Sequence, residues 1–456
     1  SAIDRRTVWE VRAVLRRRGE SMASLIVAGG TPLSGTIRVS GAKNAALPIL
    51  AASLLSERPV ALYDCPRLRD VKNMLAILGA LGVRWAWDEE KLLLDTSAAN
   101  AYVMPQGLSK ELRSSIFMLG PLLARFGHAV CTFPGGCEIG HRPIDLHLRG
   151  LTMLGVGIRE EHGLILCDGH SMTGADIHLD YPSVGATENI MMAAVRAEGE
   201  TVIQNAAREP EIEDLQTFLR KLGYGVWGAG SSTIRISGGR GCADHMSEGG
   251  PAERDCIAHR VIPDRIVAGT LLCAAAITGG EVTLCNAVPA HIASVMAKLR
   301  ESGCSIRAEG DVIRIAAHAR PREIKLIETL PYPGFPTDMQ AQFFALCTVA
   351  DGTSMIVENV FENRFKHGAE LLRMGASFTQ KDRTIVIRGV ERLMGTRVVA
   401  RDLRGGAALT LAGLAAEGET IVENAELIDR GYERLDKMLA SLGAVIRRED
   451  AETEEP

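Results

Sequence analysis

The chain has 456 residues, 46% of them hydrophobic and 23% charged, with a formal net charge of −5. A single hydrophobic core rarely grows past about 250–300 residues, so this length implies two domains. The acidic balance leaves no electrostatic footprint for nucleic acid or an anionic membrane, and no apolar run approaches the ~18 residues of a membrane span.

The first twenty residues, SAIDRRTVWEVRAVLRRRGE, are Arg-rich and suit a short basic helix. They lack the apolar centre of a signal peptide. Met22 is a second candidate start, and residues 1–21 are set aside as an N-terminal extension.

From there the chain repeats itself. AEGETVIQNA (197–206) returns as AEGETIVENA (416–425), with looser copies in LSERPVALYDC, ARFGHAVCTFPGG, TGGEVTLCNA and ADGTSMIVENV. Each copy follows an Ala/Leu-rich segment of helical length and precedes a second helix-like segment ending near LG or MG, as in MLAILGALGV or LDKMLASLGA. The predicted unit is helix, turn, strand, loop, helix, then further strands such as STIRISG and DVIRIAA. Six units at roughly seventy-residue spacing are too long for a solenoid and fit two domains of three units each, in the mixed α and β classes. Helices such as NIMMAAVRA are apolar on most faces, as buried helices are.

Most of the ten cysteines sit in apolar runs such as GTLLCAAAI and FFALCTVA, which reads as reduced, buried thiols in a cytoplasmic protein. Cys137 differs. In PGGCEIGHRP (134–143) it occupies the slot between strand and second helix, amid glycine, proline and charge. A surface loop with an incidental cysteine is one reading; a working thiol is the other. Further on, Cys242, His245, Cys256 and His259 have a C-x2-H-x10-C-x2-H spacing that could hold zinc, although an inserted loop with incidental residues is the favoured reading and no metal is assigned. The tail at 448–456 is acidic and expected to be disordered.

Eight motifs together carry a resemblance: SGAKNAALPILAASLL, PGGCEIGHRPIDLH, REPEIEDL, IPDRIVAGT, FPTDMQAQ, ENRF, DLRGGAAL and IDRGYER. They stand in family order between about Ser24 and Arg447, and the chain resembles the UDP-N-acetylglucosamine 1-carboxyvinyltransferases of the enolpyruvyl transferase family. The resemblance implies an inside-out α/β barrel in each of two domains, three βαβ-containing units per domain, with helices buried and sheets outside. It places one domain at 43–262 and the other at 22–42 with 263–447, with ligands in the cleft between them.

It also implies the reaction. The enolpyruvyl group of phosphoenolpyruvate passes to the sugar 3-hydroxyl of UDP-N-acetylglucosamine, with release of phosphate, by addition then elimination. This is the first committed step of peptidoglycan synthesis, and it needs no cofactor. Cys137 matches the family's general acid, the cysteine that the epoxide antibiotic fosfomycin alkylates. Cations near it, Lys43 and Arg142, would lower its pKa from the ordinary ~8.5. Lys43, Asn44, Arg142 and Arg430 match the residues holding phosphoenolpyruvate, guanidinium forks being suited to oxyanions.

Asp338 matches the base at the 3-hydroxyl; burial on closure would have to raise its pKa. An aspartate in FPTDMQAQ could instead cap the following helix. Asn44, Arg113, Arg142, Pro143, Ile144, Asp145, Leu146, Ser183, Val184, Gly185, Asp338 and Val360 match nucleotide-sugar positions, with Ser183–Gly185 receiving the diphosphate on a helix start. Arg364 and Arg404 are expected as supporting cations. Tyr181 departs from the pattern, standing where some members carry a lysine. Two rival readings follow: the sister enzyme acting on 3-phosphoshikimate, which does not use the cysteine motif, and a non-catalytic binder of UDP-sugar. Oligomeric state is not legible.

Overall fold

A computed structural model describes residues 23–132, 144–239 and 256–450, the side chains of 110, 111, 113 and 114 excepted. The chain divides into two compact units, one comprising 41–132 and 144–262, the other 23–40 and 263–450. The division falls at 40/41 rather than at the expected 42/43. The physical reason is that Ala42 N donates to Ile262 O at 2.7 Å, tying this segment to the first unit.

Among the described residues each unit contains three sheets, one for each repeat, and the second adds a two-stranded ribbon. The sheet order is shared. In the first unit Gly225–Trp227, Thr233–Gly238, Gly199–Gln204 and Asp176–His178 lie side by side, the last pair parallel and the others antiparallel. In the second unit Ser305–Glu309, Val312–Ala316, Glu281–Cys285 and Ser34–Arg38 repeat that arrangement. The final repeat achieves it with a strand from elsewhere. Ser24–Ala28 lies antiparallel between Glu419–Glu423 and Val445–Glu449, in the slot that a hairpin strand fills in the other copies.

This explains why the second unit needs both ends of the chain. It also corrects the expectation of disorder for the first residues of the 448–456 tail, because the strand runs to Glu449 and Arg448 grips Asp429 at 3.0 and 2.8 Å; residues 451–456 lie outside the described residues.

The LG or MG that ends each second helix has one structural cause. Gly82, Gly155, Gly223, Gly303, Gly375 and Gly443 all stop their helices with φ between +89° and +99°. A side chain is strained there, whereas glycine is not. The chain then turns into the outer strands.

The first helix of a repeat is buried nearly all round. All nine residues of Gln340–Thr348 are buried, as are nine of the ten in Lys43–Ala52. Gln340–Thr348 packs against both Arg265–Thr278 and Leu403–Ala415. Such helices need Ala, Gly and Leu on every face and show no amphipathic stripe. Strands such as Val312–Ala316 alternate instead, turning one face inward.

Cys65, Cys131, Cys167, Cys273, Cys304 and Cys347 are free, buried thiols, and no disulfide occurs among the described residues. Burial pushes Cys131, Cys167 and Cys347 up to about 12, so these thiols are inert at neutral pH. Cys242 and His245 lie outside the described residues. His259 sits buried on the strand Ile257–Arg260 and directs Nε2 to Asp214 Oδ1 at 3.1 Å, a partner that the zinc reading did not include.

Candidate functional site

The candidate residues recur at one place in the repeat, the N-terminal end of the buried helix. Lys43 and Asn44 open Lys43–Ala52, Ser183–Gly185 open Val184–Ala194, Asp338 stands two residues before Gln340–Thr348, and Arg404 is the second residue of Leu403–Ala415. Arg113 opens the 3-10 segment Arg113–Met118 that leads into Leu119–Phe126. Helix starts present unpaired N–H groups and a positive dipole end, which suit a doubly anionic substrate pair.

In the first unit Lys43 is buried and its Nζ lies 2.6 Å from Asp70 Oδ2. Asp70 stands in the first turn of Arg69–Ala80, which packs on the Lys43 helix. Asn44 is half-buried beside it. Ser183 is the N-cap of Val184–Ala194, its Oγ accepting from Ala186 N at 3.3 Å.

The next helix start is drawn to the same place. Ile144, Asp145 and Leu146 lead into Asp145–Met153, whose His147 ring lies so close to Gly185 that a Cβ there would sit 3.0 Å from it. Asn189 joins these pieces: its Oδ1 accepts from Gly120 N at 2.6 Å, and its Nδ2 donates to Ile116 O at 3.0 Å and to His147 Nδ1 at 3.1 Å. The His147 proton therefore sits on Nε2. Burial holds this imidazole down at about 4, so it is neutral. The structure thus unites two predicted groups, 144–146 and 183–185. Cys137, Arg142 and Pro143 lie outside the described residues.

In the second unit Asp338 is held from two sides. Arg364 donates to Oδ1 at 2.6 Å and Arg404 to Oδ2 at 3.0 Å. Both guanidiniums are 4% exposed, while the Asp338 side chain is 25% exposed. Asp338 lies inside the 3-10 segment Thr337–Met339, and the cap positions of that segment and of Gln340–Thr348 are Pro336 and Met339. Two buried guanidiniums thus flank the carboxylate.

Arg404 in turn meets Tyr432, whose ring centroid lies 5.4 Å from the guanidinium and whose hydroxyl contacts Thr270 Oγ1 at 2.8 Å and Gln342 Nε2 at 3.2 Å. Burial opposes the Arg404 charge, but Asp338, Tyr432 and Asp264 outweigh it and hold the guanidinium above its ordinary range. Arg404 Nε and Nη1 and Arg364 Nε are buried with no hydrogen-bond partner among the described residues.

Glu358 organises the same region. It is 1% exposed; Oε1 accepts from Thr329 Oγ1, Val360 N and Phe361 N, and Oε2 from Thr337 Oγ1, all within 3.1 Å. Thr337 precedes Asp338 and Val360 is a predicted sugar contact, so one carboxylate ties both segments together. Arg430 closes the 3-10 segment Ala425–Arg430, half-buried.

Sequence reasoning missed Asp70, Glu358, His147 and Tyr432. Asp70 carried a signal, as a lone acid in the first turn of an apolar helix.

The sequence profile described as EPSP synthase (3-phosphoshikimate 1-carboxyvinyltransferase) matches residues 27–439. A protein of Caldanaerobacter subterraneus subsp. tengcongensis, UDP-N-acetylglucosamine 1-carboxyvinyltransferase 2, is 50% identical over 94% of this chain and 100% of its own length. A Symbiobacterium thermophilum protein, UDP-N-acetylglucosamine 1-carboxyvinyltransferase 1, is 52% identical over 93% of this chain and 94% of its own. Among solved structures, the enolpyruvyl transferase NikO of Streptomyces tendae superposes with a TM-score of 0.81 at 26% identity, covering 95% of this chain and all of that one. EPSP synthase of Acinetobacter baumannii has a TM-score of 0.70 at 19% identity over 94% of this chain and all of its own, a likeness of fold alone. Identity near one half over almost the whole of both chains, with the family profile matched from 27 to 439, leads to one conclusion: the chain belongs to the enolpyruvyl transferase family, on its UDP-N-acetylglucosamine 1-carboxyvinyltransferase branch.

Proposed function

We infer that the chain transfers the enolpyruvyl group of phosphoenolpyruvate to the 3-hydroxyl of UDP-N-acetylglucosamine, releasing phosphate in the first committed step of peptidoglycan synthesis. The observation that carries this reading is the 50% identity to a carboxyvinyltransferase of that name over that relative's whole length. The sister activity on 3-phosphoshikimate has weaker support, since the solved EPSP synthase is only 19% identical. Each unit is proposed to be an inside-out α/β barrel, and the enzyme to work in the cytoplasm; no helix among the described residues is long and apolar enough to cross a membrane.

The roles proposed for individual residues follow from charge and proton movement. Cys137 gives its proton to C3 of phosphoenolpyruvate, and the 3-hydroxyl oxygen adds to C2 while Asp338 takes the hydroxyl proton. Elimination then removes a proton from C3 and expels phosphate, regenerating the enol ether. Lys43, Asn44, Arg142 and Arg430 hold the phosphate and carboxylate of phosphoenolpyruvate. Arg113, Arg142, Pro143, Ile144, Asp145, Leu146 and Ser183–Gly185 hold the nucleotide sugar, with Asn44, Asp338 and Val360 at the reacting sugar.

Arg364 and Arg404 orient Asp338, which the double ion pair supports.

Phosphate release from phosphoenolpyruvate is the test, measured with UDP-N-acetylglucosamine and separately with shikimate 3-phosphate. Turnover with the nucleotide sugar alone is expected; turnover with shikimate 3-phosphate alone would overturn the reading. Fosfomycin should add one adduct, mapping by mass spectrometry to Cys137, and leave Cys137→Asp unmodified. Inactivation with the adduct on another cysteine would refute the role of Cys137.

A further inference from the structure

The first unit carries a second group of chemically capable side chains that the reaction does not use. His128 opens the strand His128–Thr132, and Asp168 closes the strand Leu164–Asp168 directly opposite it in the register. His170 follows two residues later. His170 Nδ1 lies 3.2 Å and His128 Nδ1 3.9 Å from the same oxygen, Asp168 Oδ1. One ligand atom from each of the three residues falls within 4.8 Å of the others.

From these we propose a surface site for a zinc-class divalent cation, held by one ring nitrogen each of His128 and His170 and by the Asp168 carboxylate. Zinc binds imidazole nitrogen at about 2.0–2.1 Å and carboxylate oxygen at about 2.0–2.2 Å, which puts tetrahedral ligand atoms about 3.3 Å apart. The separations of 3.2 and 3.9 Å bracket that spacing, the third pair lies within 4.8 Å, and His170 Nδ1 would exchange its 3.3 Å contact with Gly127 O for the ion. Two imidazoles with one carboxylate are a donor set of borderline softness, which favours zinc, cobalt and nickel over calcium or magnesium. Three protein ligands leave a fourth position for water.

The surroundings hold the donors in place. The His128 and His170 rings pack at a tilt of 48° with centroids 4.2 Å apart, and the Tyr102 ring centroid lies 5.5 Å from that of His128. His170 fits only because residue 127 is glycine: a Cβ there would meet the ring at 2.8 Å, and Gly127 takes φ +74°. The His170 amide donates to Asp168 Oδ1 at 3.2 Å, which fixes the carboxylate beside the two rings. Bound there, the ion would pin the first residue of His128–Thr132 to its neighbouring strand, at the end of that strand away from the segment containing Cys137.

Equilibrium dialysis of the whole chain against zinc chloride, beside the variant His128→Gln/His170→Asn, tests this. The wild type should hold one more zinc per chain than the variant, or bind it at least about tenfold more tightly, as expected for lost ligation. Zinc should raise the melting temperature of the wild type and not of the variant, while both turn over phosphoenolpyruvate alike without added metal. Cobalt supplies a control, because binding at cysteines gives thiolate charge-transfer absorption, equal in both proteins and cancelling in the difference. Equal stoichiometry and affinity in the two proteins, or no zinc-dependent rise in melting temperature, would overturn the proposal.

Discussion

Lys43 Nζ and Asp70 Oδ2 stand 2.6 Å apart with their side chains 10% and 2% exposed, so the cation assigned to phosphoenolpyruvate is matched by an acid within its own unit. Removing one partner of a buried pair leaves an uncompensated charge and costs about 3–5 kcal/mol. Asp70→Asn should therefore lower the melting temperature markedly and raise KM for phosphoenolpyruvate more than for the nucleotide sugar. Calorimetry with steady-state kinetics checks both. An Asp70→Asn protein as stable and as active as the wild type would refute the pairing.

Asp338 sits between two guanidiniums that are each almost wholly buried. Loss of a general base costs typically 10²–10⁴-fold in rate, so Asp338→Asn should reduce kcat by about that factor. Arg404→Lys keeps the charge but loses the planar fork, and should also be impaired. Because the two residues touch, their effects should not add; a double-mutant cycle is expected to show coupling of about 0.5–3 kcal/mol. Strict additivity would mean that Arg404 does not act through Asp338.

Glu358 accepts four hydrogen bonds from two segments, and glutamine retains only one acceptor oxygen. Glu358→Gln should destabilise by about 1–3 kcal/mol through the donors left unpaired. Since it positions Val360 and the turn before Asp338, KM for UDP-N-acetylglucosamine should rise severalfold while KM for phosphoenolpyruvate changes little. Equal rises in both would point to general damage.

Two buried histidines make stability depend on pH. Burial holds His147 at about 4, and burial together with Arg364 holds His367 at about 4 against the pull of Asp402, whereas an unfolded histidine titrates near 6.5. Between those values the unfolded chain binds more protons, so stability is full above pH 6.5 and falls as pH drops toward 4. At about 1.4 kcal/mol per pH unit, His147 alone accounts for about 3 kcal/mol across that window. His147→Gln, which can still accept from Asn189, should flatten the fall in urea-unfolding free energy. An unchanged slope would refute the neutral, buried assignment.

Glu188 is expected to act in the opposite sense. It is buried in Val184–Ala194, neither oxygen has a hydrogen-bond partner among the described residues, and burial, then Glu211 and Glu209, push its carboxyl well above the ordinary range. The folded chain keeps that proton where the unfolded chain releases it, so stability falls as pH rises above about 4.5. Glu188→Gln should thus raise the melting temperature at neutral pH and gain nothing at pH 4. A lower melting temperature at both would show that the carboxyl makes a bond that glutamine cannot replace.

By itself the sequence determined the six repeats, their strands and the left-handed glycines that end the second helices, because local periodicity and backbone sterics act over a few residues. Its apolar helices had to be buried, and its order of motifs carried the family. Lys43 turned inward for the same reason: the run GAKNAALPILAAS has no polar face to place it on.

Only the tertiary structure decided what those residues touch. Asp70 lies 27 positions from Lys43, and Arg404 lies 66 from Asp338. Neither spacing matches a helix or strand period, so no local pattern could pair them. Likewise the strand Ser24–Ala28 completes a sheet with residues near 420 and 446, far away along the chain. Charge neutralisation and strand pairing act through space. The chain position of a partner carries no mark of them.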